Sequence, residues 1–313
     1  MDFHSPPPTP STHRETCMLC DTTVNFKFVN KLRDDETRNV YQCETCGHIQ
    51  ILPLSSREED VLLYKENDET YRRSHSSIAK FQNEENMMNK LRVFTEDTLI
   101  QFKKHINKNK KLIDIGTGYG WLVELMRNEG YEIDGVEISD KKRRLVKQRS
   151  GIELFNWNLL DVKDVPKGCY DVVSLMHVLE HISEPKIFLK RAADLLKPAG
   201  MIYIEVPNYD DYMKAILPEY NSFSYTRMHL SYFTCKTLSQ LLINAGFKNI
   251  EIYGLQKYSF ENALWWMREK RPFMDYFQMD VPECLQWLNA LYKERVESEM
   301  KSYAIVAIGY RGN

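Results

Sequence analysis

The sequence predicts an α/β fold: a mainly parallel sheet with helices on both faces, a small N-terminal four-cysteine module, and a helical insertion before the last strand. Three observations carry this. Apolar runs at 112–115, 132–136, 152–155, 171–176 and 201–206 alternate with helical patterns such as "WLVELMRNEG" and "PKIFLKRAADLLKPAG". Two C-x2-C pairs stand near the start. About 45 residues of mixed aromatic and charged character separate "NIEIYGL" from the last apolar run, "SYAIVAIGYR".

Composition narrows the class. The 313 residues are 43% hydrophobic and 27% charged, as in an ordinary globular enzyme. With 42 basic and 44 acidic side chains, no broad electrostatic footprint for nucleic acid is expected. No run of 18 apolar residues is present, so no membrane span is expected. Residues 1–12 read as a disordered proline-rich lead-in without the apolar core of a signal peptide. A reducing, cytoplasmic setting follows as an expectation, which makes the seven cysteines thiols or metal ligands.

In chain order, residues 13–55 read as a zinc ribbon. Cys17 and Cys20 in "CMLC" and Cys43 and Cys46 in "CETCGH" flank a 22-residue spacer. Two such turns complete a closed tetrahedral Zn²⁺ site, with two disulfides or four unconnected thiols as alternatives. Four thiolates leave no open position, so the zinc is structural. The neighbouring His48 reads as a surface residue, and Cys169, Cys235 and Cys284 as small apolar groups. Residues 56–108 form a helical linker or cap, with Met88, Leu91, Phe94, Leu99 and Phe102 at helical spacing. Residues 109–313 form the main domain. Its insertion, 256–301, is expected to fold as helices that cap a pocket or support a homo-oligomer.

The turn "DIGTGYG" joins the first of the alternating strands to its helix, with Gly116, Gly118 and Gly120 at every second position. Such glycines let a ligand approach the backbone. A nicotinamide-type turn spaces its third glycine one residue later, and a P-loop needs Gly-Lys-Ser/Thr. The stretch resembles the D/E-x-G-x-G-x-G motif of class I S-adenosylmethionine-dependent methyltransferases, over roughly 109–250. The resemblance implies a Rossmann-like seven-stranded sheet and S-adenosyl-L-methionine as cofactor. It places Asp114 near the ligand's ammonium group, Gly116 and Gly118 against the ligand with Gly120 as the third glycine of the cofactor turn, Glu137 on the ribose hydroxyls and Asp161 on the adenine amino group. Met176 and His177, in "YDVVSLMHVLEHISEP", would lie beside the cofactor.

Methyl transfer asks the protein to align an acceptor and, where needed, remove its proton. His177 and His181 stand four apart in "HVLEH". His181 is the second candidate for a catalytic role, against a structural histidine. "YTRMHLSYFT" resembles the E-H-x-x-Y-F segment of sugar C-methyltransferases, some of which carry an N-terminal cysteine zinc domain, and by that resemblance His229 is the leading general base. Met228 replaces the preceding glutamate, which weakens the C-methyl reading and leaves O-methylation open. The favoured acceptor is a small molecule: a sugar, nucleotide-sugar or glycan. Alternatives are an RNA methyltransferase gripping RNA through the ribbon, against which the near-neutral charge stands, and a non-catalytic scaffold.

Overall fold

The computed structural model describes residues 13–56, 59, 91–92, 95–96, 98–162, 165–272 and 283–312. The proline-rich lead-in and most of the helical linker, with Met88 and Phe94, lie outside the described residues.

The central sheet has six strands among the described residues: β5 (Lys111–Ile115), β6 (Glu132–Val136), β7 (Tyr170–Met176), β8 (Leu196–Pro207), β10 (Phe247–Leu255) and β11 (Ala304–Arg311). Their order is β10-β11-β8-β7-β5-β6. The β6, β5, β7 and β8 neighbours pair in parallel, whereas β11 runs antiparallel to both β8 and β10. The apolar run at 152–155 makes a single parallel bridge, Phe155 to Val136. It occupies the seventh position, beside β6, with one bridging residue instead of a full strand.

Sheet residues alternate between two cores. Ile113, Val173, Ile202, Ile204, Ile305 and Ala307 pack on one face with α3 (Pro185–Leu195) and α6 (Cys235–Asn244). Leu112, Val172, Met201, Tyr203, Val306 and Ile308 pack on the other with α1 (Trp121–Asn128), Val146 of α2 (Asp140–Ser150), and Leu99 and Phe102. Side chains of a strand alternate in direction, so a strand covered on both faces is apolar throughout. That is why β8 and β11 read as continuous apolar runs. Local signals set the helix ends: Ser139 accepts from the Lys142 amide to start α2, and Gly151 (φ 71°) ends it.

The N-terminal strands β1 (His13–Thr16), β2 (Thr23–Lys31), β3 (Asn39–Cys43) and β4 (Ile49–Leu52) form a second, antiparallel sheet. Its fifth strand is β9 (Ser231–Tyr232), almost 180 residues further along. Two short helices, α4 (Tyr212–Ile216) and α5 (Pro218–Phe223), lead from β8 towards β9. The expected helices of the insertion are α7 (Phe260–Glu269) and α8 (Gln286–Ser298). Among the described residues no helix is long and apolar enough to cross a membrane.

Candidate functional site

Parallel β5, β6 and β7 deliver their carboxyl ends to one edge of the sheet, where open α/β folds leave a crevice. The glycine turn lies there, and its three glycines meet different surroundings. All have positive φ, which disfavours any side chain. A Cβ on Gly116 would stand 2.6 Å from Val178, and one on Gly120 3.0 Å from Val146, so both are fixed by packing. A Cβ on Gly118 would meet nothing within 4 Å. That glycine faces open space.

Glu137, buried at the end of β6, accepts from the Gly118 amide at 2.9 Å and from the Ser139 amide at 2.8 Å. A carboxylate has about four acceptor positions, so these two bonds do not exhaust it. The glycine turn and the second strand are thereby locked together. Asp114, also buried, accepts from the Ser174 hydroxyl at 2.6 Å. Burial pushes its carboxyl up to about 6; the bond from Ser174 opposes the rise and the Glu137 charge adds to it. A cationic group arriving beside Asp114 would favour the ionised form. Affinity for an ammonium-bearing ligand such as S-adenosylhomocysteine is therefore expected to be level above pH 6 and to weaken as pH falls below it. Calorimetry at about pH 5 and about pH 7.5 checks this; equal affinities would contradict it.

Asp161 is exposed and hydrogen-bonded with Asn158, and Met176 is half-buried against the core on the helix α1 face. His177, at φ 54°, belongs to a buried ionic network. Its Nε2 lies 2.8 Å from Glu205 and its Nδ1 3.3 Å from Glu180. Burial works against charge on this imidazole, but Glu180 and Glu205 outweigh it and hold its pKa up at about 9. Both glutamates, despite burial, are held down at about 2, Glu180 by His181 and His177 and Glu205 by Lys257 and His177. Lys257 pairs with Glu205 and donates to Thr98 at 2.6 Å. A buried charge survives only when paired, which accounts for this set. Sequence reasoning missed Glu205 and Lys257. The one acid inside the apolar run "MIYIEVPN" was the available signal.

His181 follows β7, and its Nδ1 donates to the Met228 carbonyl at 2.7 Å. In the neutral ring this leaves Nε2 as the acceptor nitrogen, 3.7 Å from Glu180. His229 stacks edge-on against it, ring centroids 4.9 Å apart. The two leading candidates for proton transfer, from segments about 50 residues apart, thus form one cluster with Glu180. Burial lowers the His229 pKa to about 3, and neighbouring His181 adds to the shift.

The four N-terminal cysteines also converge. Cys17 and Cys46 sulfurs are 3.6 Å apart, and Cys20 and Cys43 sulfurs 3.9 Å. A disulfide needs about 2.05 Å. Four sulfurs placed tetrahedrally at about 2.3 Å from Zn²⁺ lie about 3.8 Å from one another, so the set fits a closed zinc site. His48 differs from its surface reading: it is 1% exposed, its Nε2 3.2 Å from the Ser231 hydroxyl and its ring against Phe233. Strand β9 covers it.

Comparison with known proteins identifies the family and the fold. Residues 84–252 match the family model described as a methyltransferase domain. A ubiquinone biosynthesis O-methyltransferase of Cronobacter sakazakii is 34% identical over 105 residues, covering 32% of this chain and 43% of that protein. The chain thus spans less than half the length of that relative. One from Coxiella burnetii is 24% identical over 165 residues, covering 50% of this chain and 70% of that protein. Among solved structures, an Archaeoglobus fulgidus SAM-dependent methyltransferase superposes with TM-score 0.50 at 18% identity, covering 70% of this chain and 94% of that one. The Burkholderia thailandensis 1,6-didemethyltoxoflavin-N1-methyltransferase, solved with S-adenosylhomocysteine, gives TM-score 0.51 at 13% identity, covering 91% of this chain and 100% of that one. These structural likenesses establish the fold.

Proposed function

The chain belongs to the methyltransferase-domain family, and from that premise we propose that it transfers the methyl group of S-adenosyl-L-methionine to a small-molecule acceptor. The observation that carries the reading is the turn at Gly118: a Cβ there would meet nothing within 4 Å, its amide donates to the buried Glu137, and Asp114 is buried in β5 just before it. Asp114 would take the ligand's ammonium group, and Glu137 its ribose hydroxyls. Asp161 would take the adenine amino group, while Met176 and His177 would border the cofactor. Cys17, Cys20, Cys43 and Cys46 would hold a structural Zn²⁺, which supplies stability to the ribbon and no chemistry.

When bound, S-adenosyl-L-methionine supplies a methyl group on a positively charged sulfur, an activated donor. The chain's share is alignment and proton removal. Burial lowers the His229 pKa to about 3, which favours the neutral ring with a lone pair for a proton. A weak base suffices, because an acceptor hydroxyl becomes strongly acidic as its oxygen takes up the methyl group. Glu180, held ionised, stabilises the imidazolium left on His229 or, as second candidate, on His181. A hydroxyl acceptor fits this arrangement and the O-methyltransferase relatives. The favoured class is a sugar, nucleotide-linked sugar or glycan, on the strength of "HLSYF", residues 229–233.

Labelled cofactor incubated with acceptor pools, followed by mass spectrometry, identifies the product. With that acceptor, His229→Ala is expected to lower single-turnover transfer on the order of 100-fold while leaving S-adenosylhomocysteine affinity unchanged. An undiminished rate would remove His229 from the base role.

A further inference from the structure

The segment carrying His229 is anchored by the cysteine module along most of its length. The Arg33 amide donates to the Tyr225 carbonyl at 3.1 Å, and its guanidinium to the Phe223 carbonyl at 2.7 Å. The Asp34 carboxylate accepts from the Thr226 hydroxyl at 2.6 Å and from the Arg227 amide at 2.8 Å. The Arg227 guanidinium turns back to Asp35 at 3.4 Å. Further on, the Ile51 amide donates to the Leu230 carbonyl at 3.1 Å, and β4 pairs Gln50 with Ser231 and Ile49 with Tyr232. The Tyr232 hydroxyl then closes the loop on itself, donating to the Thr226 carbonyl and accepting from the Thr226 amide.

Strand β4 is in turn tied to both cysteine turns. The Gln50 side chain accepts from the Met18 amide, inside the first C-x2-C, at 2.9 Å. The Cys43 amide donates to the His48 carbonyl at 2.8 Å, across the second. Met18, Ile49, Ile51, Tyr225, Leu230 and Tyr232 share one apolar core. Between the anchors sit His229 and the Met228 carbonyl that orients His181. Thus the register of both histidines is set from the module. The cofactor crevice is built otherwise: its turn is held by the bonds of Gly116 to Val136 and Gly118 to Glu137, within the central domain.

We infer that Asp34 and the metal-loaded cysteine module form a clamp that positions His229 and His181 on the acceptor side, separately from cofactor binding. Asp34 is a positioning residue in this account, since it acts through Thr226 and Arg227. The inference rests on the acceptor-side reading of His229 given above, but its test uses no turnover. Three readouts are compared on the full chain: amide hydrogen exchange, ring resonances of labelled histidine, and calorimetry with S-adenosylhomocysteine as probe.

In Asp34→Ala, exchange at the Arg227 and His229 amides is expected to rise roughly ten-fold or more, and the His181 and His229 ring signals to shift. S-adenosylhomocysteine affinity stays within about two-fold of wild type. Asp34→Asn keeps an acceptor oxygen and recovers most of the protection. Wild-type protein stripped of metal by a chelator repeats the Asp34→Ala pattern. Unchanged exchange and ring signals in both Asp34→Ala and stripped protein would overturn the clamp. So would a parallel fall in S-adenosylhomocysteine affinity, which would mean general loss of structure. Failure of His229 as base would instead appear as an undiminished turnover rate in His229→Ala, a separate result.

Discussion

Gly118→Val is expected to weaken S-adenosylhomocysteine binding by at least about 100-fold while the protein stays folded. Two quantities decide this. The backbone there has φ 59°, so a side chain costs about 1–2 kcal/mol of strain. That is a fraction of the stability of an ordinary domain. The new Cβ meets no neighbouring atom within 4 Å, so valine's methyl groups project into the crevice and spare the core. Gly116→Ala serves as the contrasting control. Its Cβ would stand 2.6 Å from Val178, so packing suffers along with binding. Calorimetry and thermal unfolding separate the two effects; Gly118→Val with wild-type affinity would remove the glycine turn from the ligand site.

Cys43→Ser has the second large expected effect. Cys43 is fully buried in β3, and its sulfur lies 3.9 Å from that of Cys20. Structural zinc contributes on the order of 10–16 kcal/mol in small zinc modules, comparable to the whole net stability of a domain. A segment of this size buries too little apolar surface to fold without such help. The variant is expected to lose one bound zinc per chain and to show an early unfolding transition for the β1–β4 sheet. Elemental analysis with calorimetry measures both. A metal-free variant of unchanged thermal stability would rule out a structural zinc.

The sequence made the central sheet legible because its signals are local. "LIDIGTGYG" contains strand, turn and helix start within a few residues, and the continuous apolar runs of β8 and β11 announce strands buried on both faces. The run at 152–155 was less legible. As an edge segment it meets a partner on one side, and only Phe155 bridges to β6. Its apolar pattern reports burial and not strand length.

Long-range pairing was not legible. His48 has the composition of a surface position, yet Ser231 and Phe233 cover it from across the chain. Asp34 looks like one acid in the turn "RDDE", and nothing nearby announces its bonds to Thr226 and Arg227. The convergence of Glu180, His181 and His229 was half visible: "HVLEH" showed two of them side by side, His229 was singled out separately, and only the fold brought it to them. His177, read as a cofactor neighbour, carries the added feature of an ionic network whose partner Lys257 lies 80 residues away.

The most direct measurement is the structure of the protein crystallised with S-adenosylhomocysteine. The account predicts the ligand's ribose hydroxyls within hydrogen-bond distance of Glu137, its amino-acid end along the Gly116–Gly118 backbone, and its sulfur turned toward His229. Ligand bound elsewhere, or a crevice filled by the chain's own side chains, would contradict it.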